Sequence, residues 1–255
     1  MSTTLILALS LGAAIGITLG ILGGGGAILA VPVLVAVLGQ DAHAATTTSL
    51  VVVGAASLAA GLRYAKARHV SWRTAALFAL AALPGSTLGT AANNAVSDRL
   101  LLSLLSIVIL CVAYLTWRHA SKTRAPSADT SLICPTLTAV PLIATGLGVG
   151  ILTGFFGVGG GFVIVPALAI ALQLPFRLAI GTSLVIIFLV STAGLINHLV
   201  ADAQVDWGTA LPFAAATVAG ALAGAQIAPR FAQATLGKAF AVLLVGVAVL
   251  TFAVA

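Results

Sequence analysis

Residues 20–32 read Gly20-Ile-Leu-Gly-Gly-Gly-Gly-Ala-Ile-Leu-Ala-Val-Pro32, and residues 154–166 read Gly154-Phe-Phe-Gly-Val-Gly-Gly-Gly-Phe-Val-Ile-Val-Pro166. Each copy places a run of glycines inside a long apolar stretch and closes with a proline. The chain has 255 residues, so the second copy begins just past its middle. Glycines and prolines do not fall into one register by accident as easily as apolar residues do. The pair therefore indicates an internal duplication.

The duplication extends well beyond the glycine runs. We call the separation of Gly20 from Gly154 the repeat interval. The same interval pairs Thr48-Ser49-Leu50 with Thr182-Ser183-Leu184, and one inserted residue later Trp72 pairs with Trp207. Both halves thus carry the same series of apolar segments. We divide the chain into an N-terminal transmembrane repeat over residues 1–117, a cytoplasmic linker over 118–134 and a C-terminal transmembrane repeat over 135–255.

The composition excludes a soluble protein. Hydrophobic residues make up 61% of the chain and charged residues only 6%, whereas about a quarter of a soluble domain is charged. A soluble enzyme, a nucleic-acid-binding domain and a disordered chain are all excluded on this ground. The apolar runs do not alternate with polar residues as the strands of a membrane barrel do. A spanning helix takes ~20 residues, so the chain has room for about ten helical spans.

The distribution of charge predicts how the two halves are oriented, because Lys and Arg prefer the cytoplasmic side of a membrane. With five helical segments in each half, the halves are inverted and ten of the eleven basic residues fall on one side. These ten are Arg63, Lys66, Arg68, Arg73, Arg118, Lys122, Arg124, Arg177, Arg230 and Lys238. Four parallel spans in each half would divide the basic residues seven to four, so inversion is favoured. It places both termini outside, and the net charge of +6 then reports orientation rather than a nucleic-acid partner.

The glycine runs predict broken or re-entrant helix hairpins. The stretch 4–38 is about 52 Å long as helix, and two full spans need about 60 Å, so each glycine tip is expected within the membrane. Two inverted tips approach each other from opposite sides. Backbone N–H groups at such tips and at the following helix start attract anions without a charged side chain. The candidate binding residues are Gly24, Gly25, Gly26, Gly159, Gly160 and Gly161.

Hydroxyl side chains begin the next helix in each half, at Thr48, Ser49, Thr182 and Ser183. They are the second group of candidate substrate-binding residues, because a hydroxyl donates to an anionic oxygen. The alternative interpretation is that they cap the helix or bond to carbonyls of the preceding turn.

Glycines at four-residue spacing have a different interpretation. That spacing forms a small-residue face on which a second helix packs closely. We predict this role for Gly12, Gly16, Gly20, Gly146, Gly150 and Gly154. Arg177 is interpreted as an ordinary cytoplasmic flanking residue, and contact with the substrate is the less favoured alternative.

No Asp or Glu lies inside any predicted span. Cation transporters and proton pumps place carboxylates there, so their absence favours an anion as substrate. The sequence also lacks a convincing Gly-x-Ser-x-Gly element, a His-Glu-x-x-His pair and an intramembrane Asp pair. We therefore predict that the protein is not an enzyme, with no catalytic residue, cofactor or metal site.

The glycine motifs Gly23-x-Gly25-Gly26-x5-Pro32 and Gly157-x-Gly159-Gly160-Gly161-x4-Pro166 resemble those of the TauE/SafE sulfite exporter family. So do the segments 45–50 and 179–184 and the duplicated layout. The resemblance covers essentially the whole chain. It implies a permease of the bacterial cytoplasmic (inner) membrane for sulfur-containing anions such as sulfite or organosulfonates. The first copy departs from the pattern at Ala27, where the second copy has Gly161.

Together these observations predict an all-α polytopic membrane protein of two inverted-topology repeats of about five helical segments each. Its expected partners are a small anion of the sulfite or sulfonate class and the lipid bilayer; homo-oligomer formation is left open. The anion would bind between the glycine tips, and rocking of one repeat against the other would give alternating access. The alternatives are a transporter of a different small organic anion and a non-transport membrane protein, either an assembly partner or an intramembrane enzyme.

Overall fold

The computed structural model describes residues 2–36, 39, 42–93, 98–122, 139–156, 161–200 and 207–254. Within these residues the chain forms ten α-helices and no strand. The helices of the first half are α1 (Ser2–Leu22), α2 (Ala27–Ala36), α3 (Ala42–Lys66), α4 (Trp72–Asn93) and α5 (Asp98–Lys122). Those of the second half are α6 (Ala139–Phe156), α7 (Gly161–Pro166), α8 (Phe176–Val200), α9 (Trp207–Ile227) and α10 (Gln233–Val254). A π-helical segment, Ala167–Ala171, extends α7, and a 3-10 turn, Ala228–Arg230, follows α9.

Each helix of the first half has a counterpart in the second half. The helices α3 and α8 both contain 25 residues, and their first residues, Ala42 and Phe176, are separated by the repeat interval. One difference concerns the predicted linker, because α5 continues to Lys122 and its residues 118–122 are helical. In this part of α5, Ala120 is buried beside Gly237 of α10.

Four of the described helices are long and apolar enough to cross a membrane, judged by length and composition. They cover Ala44–Lys66, Leu104–Ser121, Phe176–Ile196 and Ala210–Arg230. Four shorter apolar helices accompany them, over Ile6–Leu22, Val140–Phe156, Gly161–Ala171 and Gln233–Val249. Large apolar side chains also lie on the outer surface, including Leu80, Leu211 and Val140. Such a surface suits lipid rather than water.

Glycines bring α1 close to α9 in one of the two largest helix interfaces. Gly16 lies against the backbone of Thr217 and Ala221, and Gly220 of α9 lies against the backbone of Ala13 in return. Residue numbers increase together along the interface, so the two helices run in the same direction. Because the glycine at each of these points has no side chain, the backbones of the two helices approach closely.

The second of these interfaces joins α6 to α4 in the same way. Gly150 lies against the backbone of Ala82, and Gly89 of α4 lies against the backbone of Ile151 and Phe155. Each repeat thus packs its first helix along the fourth helix of the other repeat. The close-contact role predicted for six glycines is confirmed, at Gly12, Gly16, Gly20, Gly146, Gly150 and Gly154.

The helices α3 and α8 pack against each other in the core and run antiparallel. The side chain of Leu50 lies beside Gly194 near one end of this pair, and that of Tyr64 lies beside Gly181 near the other. Most of the first half of α8 is buried, including Ile180, Leu184 and Ile186. The helices α2 and α7 pack against this pair, α2 on α3 and α7 on α8.

Candidate functional site

The first glycine run forms a buried turn between α1 and α2. Gly23 has a φ of +80°, a conformation that glycine adopts without strain. Its N–H donates to the carbonyl of Leu19 at 2.8 Å, and the N–H of Ala27 donates to the carbonyl of Gly24 at 3.3 Å. Within the described residues, the N–H groups of Gly25 and Gly26 have no hydrogen-bond acceptor. They are the kind of free donor that an anion site needs.

This turn meets the second repeat through glycine as well. Gly24 lies directly against the backbone of Gly161, the first residue of α7. A Cβ at Gly161 would stand 3.0 Å from the carbonyl oxygen of Gly24. Gly23 lies beside Ile180 and Ser183 of α8. The two glycine runs therefore contact each other inside the helical bundle, and a side chain at either contact point would force them apart.

The remaining glycine candidates have other surroundings. Gly25 lies beside Leu243 of α10, and Gly26 lies against the backbone of Ile15 in α1. Residues 157–160, which include the candidates Gly159 and Gly160, lie outside the described residues.

The two candidate serines use their hydroxyl hydrogens locally. The hydroxyl of Ser49 donates to the carbonyl of Thr46 at 2.8 Å. Ser183 donates to the carbonyl of Ile180 at 2.7 Å and also lies 3.3 Å from the carbonyl of Gly23. A hydroxyl has one hydrogen to donate. In this arrangement both serines bond to the preceding helical turn, and Ser183 also ties α8 to the glycine turn.

The two candidate threonines keep their hydroxyl hydrogens free. Thr48 is buried, and its Oγ1 has no hydrogen-bond partner within the described residues. Thr182 is also buried, and its Oγ1 accepts a hydrogen bond from the N–H of Ser71 at 3.1 Å. No acceptor for the hydroxyl of Thr182 itself is found in the described part of the chain. A buried unpaired hydroxyl costs about 1–3 kcal/mol, which a bound anionic oxygen would offset.

The four hydroxyl candidates do not converge on one point. Because α3 and α8 are antiparallel, Thr48 and Thr182 lie near opposite ends of the pair, roughly 20 Å apart along it. Among the described candidates, the glycine–hydroxyl cluster that does form consists of Gly24, Gly161 and Ser183, with Gly23 beside them. Thr182 lies further toward the end of the bundle where α8 begins.

At that end a pocket of about 150 Å³ opens between the end of α3, the start of α8 and the end of α9. Its polar lining consists of Arg63, Tyr64, His69, Arg177 and Gln226. The described residues that line it include no carboxylate. We call this the basic pocket. Its volume is several times the space that one water molecule needs.

The loop after α3 places His69 in the basic pocket. Arg68 has a φ of +58° and the N–H of His69 donates to the carbonyl of Tyr64 at 2.9 Å, the geometry that ends many helices. The missing side chain of Gly181 lets the His69 carbonyl lie against α8. Burial, and secondarily the positive charge of Arg177, lower the pKa of His69 below its usual value. The imidazole is therefore neutral at pH 7.

Arg177 is held in place from one side of its guanidinium group. Its Nη2 donates to the carbonyls of Pro229 at 2.8 Å and Phe231 at 2.9 Å, in the connection between α9 and α10. Its Nε is buried and has no partner within the described residues. The side chain is thus oriented by two bonds while retaining a free, charged donor.

The hydroxyl of Tyr64 connects the basic pocket to the glycine turn. It donates to the carbonyl of Gly20 at 3.0 Å, just before the turn begins. Sequence reasoning interpreted Arg177 as a flanking residue and did not find this pocket. Its members are far apart in sequence, and the one available signal was that Arg177 has no basic counterpart one repeat interval earlier, where the chain has His43.

The sequence of this chain also matches a known protein family. The family described as "Sulfite exporter TauE/SafE" matches residues 8–251. The chain belongs to the TauE/SafE family. A "Probable membrane transporter protein" of Xylella fastidiosa (strain 9a5c) is 36% identical over 96% of this chain and 94% of its own length. "Probable membrane transporter protein YunE" of Bacillus subtilis (strain 168) is 27% identical over 88% of this chain and 89% of its own. No solved structure matches the chain.

Membership in the TauE/SafE family identifies a multi-pass membrane protein of a transporter family. The resemblance drawn from the glycine motifs is confirmed over nearly the whole chain. The glycine turn and the basic pocket are therefore features of a protein that belongs to a transporter family.

Proposed function

We propose that this TauE/SafE protein is a permease of the bacterial inner membrane that exports sulfite, organosulfonates or related small sulfur-containing anions by alternating access. The observation that carries the proposal is the contact of Gly24 with Gly161 inside the bundle. Two broken helices from the two repeats meet there, with free N–H groups at Gly25 and Gly26. Asp98 is the only acidic residue in the described helices, at the start of α5, so the bundle suits an anion rather than a cation.

The two repeats are inverted relative to each other in this proposal, and the helix directions support it. The helix α1 runs parallel to α9 and α6 runs parallel to α4. The basic pocket brings the end of α9 to the loop that precedes α4, so α9 and α4 run in opposite directions. The equivalent helices α1 and α6 then also run in opposite directions, which is the pattern of inverted repeats in secondary transporters.

The basic pocket lies on the cytoplasmic side in this proposal, and both termini lie outside. The segment that contributes Ala67 and His69 to the pocket also carries the exposed cations Lys66 and Arg68, and the exposed Arg73 follows in α4. Cytoplasmic loops carry such an excess of positive charge. The exposed indoles Trp72 and Trp207 begin α4 and α9. Because those helices run in opposite directions, the two indoles mark the two membrane interfaces, where tryptophan is enriched.

The anion binds at the meeting point of the glycine runs in this proposal. The free N–H groups of Gly25 and Gly26 in the first turn are the donors, and Gly159, Gly160 and Gly161 are the corresponding candidates of the second run. Thr48 and Thr182 are the hydroxyls best able to add donors as the site opens toward either side, because their hydrogens are unpaired. Ser49 and Ser183 then hold the helices in register rather than the anion.

Flux through proteoliposomes tests the proposal. Purified protein is expected to move sulfite and at least one organosulfonate down an imposed gradient, with saturation and well above protein-free liposomes. Sulfate and simple carboxylates serve as competing anions. Flux of carboxylates alone would assign a different small organic anion, and flux of no anion would remove the transport function.

The inverted arrangement is tested by the sidedness of two single cysteines. With Cys111 and Cys134 replaced by alanine, Arg68→Cys and Gln204→Cys are expected to react with a membrane-impermeant maleimide from opposite sides. These positions follow α3 and α8, which are repeat equivalents. Labelling of both from the same side of right-side-out cells would contradict inversion.

A further inference from the structure

We propose that the basic pocket is a second anion-binding site, present on one face of the transporter only, which captures the substrate before it reaches the glycine turn. The pocket is formed around Arg63, His69 and Arg177. This inference rests on the proposed function for the identity of the anion, a sulfite or sulfonate. The pocket itself is defined by its own geometry.

Arg177 provides the main charged donor of this site. Two carbonyls fix its Nη2 at 2.8 and 2.9 Å, and its buried Nε has no partner within the described residues. An unpaired buried donor on a charged group is costly, and a planar guanidinium matches the oxygens of an oxyanion. Arg177 lines the pocket, so an oxyanion in the pocket is in position to pair with this guanidinium group.

The surroundings add positive charge without neutralising it. Arg63 lines the same pocket and makes no hydrogen bond or ion pair within the described residues. The described lining contains no carboxylate that would compete with a bound anion. With room of about 150 Å³, the pocket accepts a small oxyanion together with some of its water.

The pocket communicates with the glycine turn through one side chain. Tyr64 lines the pocket, is buried and donates to the carbonyl of Gly20 in α1. The side chain of Tyr64 therefore lies between an anion held by Arg177 and the backbone of α1 that leads to Gly23. Displacement of this tyrosine is the simplest route from the pocket to the turn.

The sequence does not repeat the two arginines of this pocket at the equivalent positions. The positions that correspond to Arg177, Arg63 and Tyr64 at the repeat interval are His43, Asn197 and His198. Neither arginine is repeated. At these repeat-equivalent positions, permanently charged side chains are present on the face of Arg63 and Arg177 and are replaced by Asn197 and His43 on the other. Anions are therefore concentrated at the face with the two arginines.

Binding of methanesulfonate to the purified full-length protein tests the site, because this anion keeps a single charge across the accessible pH range. Isothermal titration is expected to give about tenfold weaker binding for Arg177→Gln and for Arg63→Gln, the loss of one hydrogen bond to a charged group. The matched control is Arg73→Gln, an exposed cation of the same face that does not line the pocket. It is expected to bind as the wild type does.

The flux assay separates this inference from the proposed function. In the variants the KM for sulfite presented from the pocket face is expected to rise about tenfold, in step with the binding change. If the wild-type protein transports sulfite but both arginine variants show unchanged methanesulfonate binding and an unchanged KM, the pocket is not an anion site and the proposed function still stands. If methanesulfonate binding depends on the two arginines but the wild-type protein transports no anion, the proposed function is wrong and the binding site is supported. If Arg177→Gln fails to fold, Arg63→Gln alone tests whether the pocket binds the anion. Arg63 makes no hydrogen bond or ion pair within the described residues, so its replacement breaks no such contact there.

The pH dependence of sulfonate binding is a further expected result. His69 shares the pocket with Arg63, Tyr64 and Arg177, and its pKa is lowered by burial and by Arg177. As the pH falls below about 6.5, its protonation adds a positive charge and methanesulfonate binding is expected to tighten about two- to fivefold. The increase is expected to vanish in His69→Gln, and its persistence there would exclude His69 as the cause.

Discussion

Replacing Gly24 with valine is expected to lower anion flux about a hundredfold. A Cβ at this position would overlap the backbone carbonyl of Gly161, and a backbone atom in a helix start cannot move aside as a flexible side chain does. Overpacking of this kind costs about 1–3 kcal/mol, and about 3 kcal/mol corresponds to the stated loss. Initial flux of sulfite into proteoliposomes, at equal protein density, measures the effect.

The matched control for this variant is Gly246→Val in α10. A Cβ at Gly246 meets nothing within 4 Å, so the substitution adds the same side chain to a helix without a clash. Normal elution and thermal stability of Gly24→Val in detergent would assign its loss of flux to the glycine contact rather than to unfolding. Wild-type flux in Gly24→Val would contradict the proposal that the anion passes between the glycine runs. Should the valine variant not fold, Gly24→Ala repeats the test with the smallest possible clash.

Replacing Gly150 with valine is expected to lower the melting temperature by roughly 5–10 °C. A Cβ at Gly150 would press into the backbone of Ala82, and α6 would have to leave α4 to accommodate it. A loss of about 2–3 kcal/mol shifts the melting temperature of a chain of this size by about that amount. Thermal unfolding followed by tryptophan fluorescence in a fixed detergent measures it.

Gly148 provides a control on the same helix, close to Gly150. A Cβ there meets nothing within 4 Å, so Gly148→Val changes helix propensity equally but leaves the interface intact. We expect it to melt within about 2 °C of the wild type. Equal destabilisation by both substitutions would mean that α6 does not pack on α4 through its glycine face.

Much of the fold is predictable from the sequence because its signals are local or periodic. The helices α4 and α9, which begin at Trp72 and Trp207, are predicted by a repeat that is visible in the sequence and is also present in the structure. The glycine faces at Gly16 and Gly150 follow from the four-residue spacing of one helix face. In both cases the signal is contained in the linear sequence, and the spatial arrangement of the helices is not needed to detect it.

The candidate site is harder to predict from the sequence, for two physical reasons. A serine in a helix readily bonds to the carbonyl of the turn before it, as Ser49 and Ser183 do, and sequence spacing does not distinguish this role from binding of a substrate. The basic pocket was missed because Arg63, Arg177 and Gln226 come from three helices far apart in the chain. The spacing of these residues in the sequence does not show that they are close in space, because only the tertiary structure brings their helices together.

The reciprocal contact of α1 with α9 and of α6 with α4 has a consequence for biosynthesis. The helix α1 is made first, but its partner α9 begins only at Trp207. At translation rates of about 5–20 residues per second, α1 waits roughly ten to forty seconds in the membrane with its glycine face uncovered. The helix α6, by contrast, finds α4 already synthesised. The N-terminal helix is therefore locked into place near the end of synthesis, and a chain truncated before α9 lacks the partner that holds its first helix.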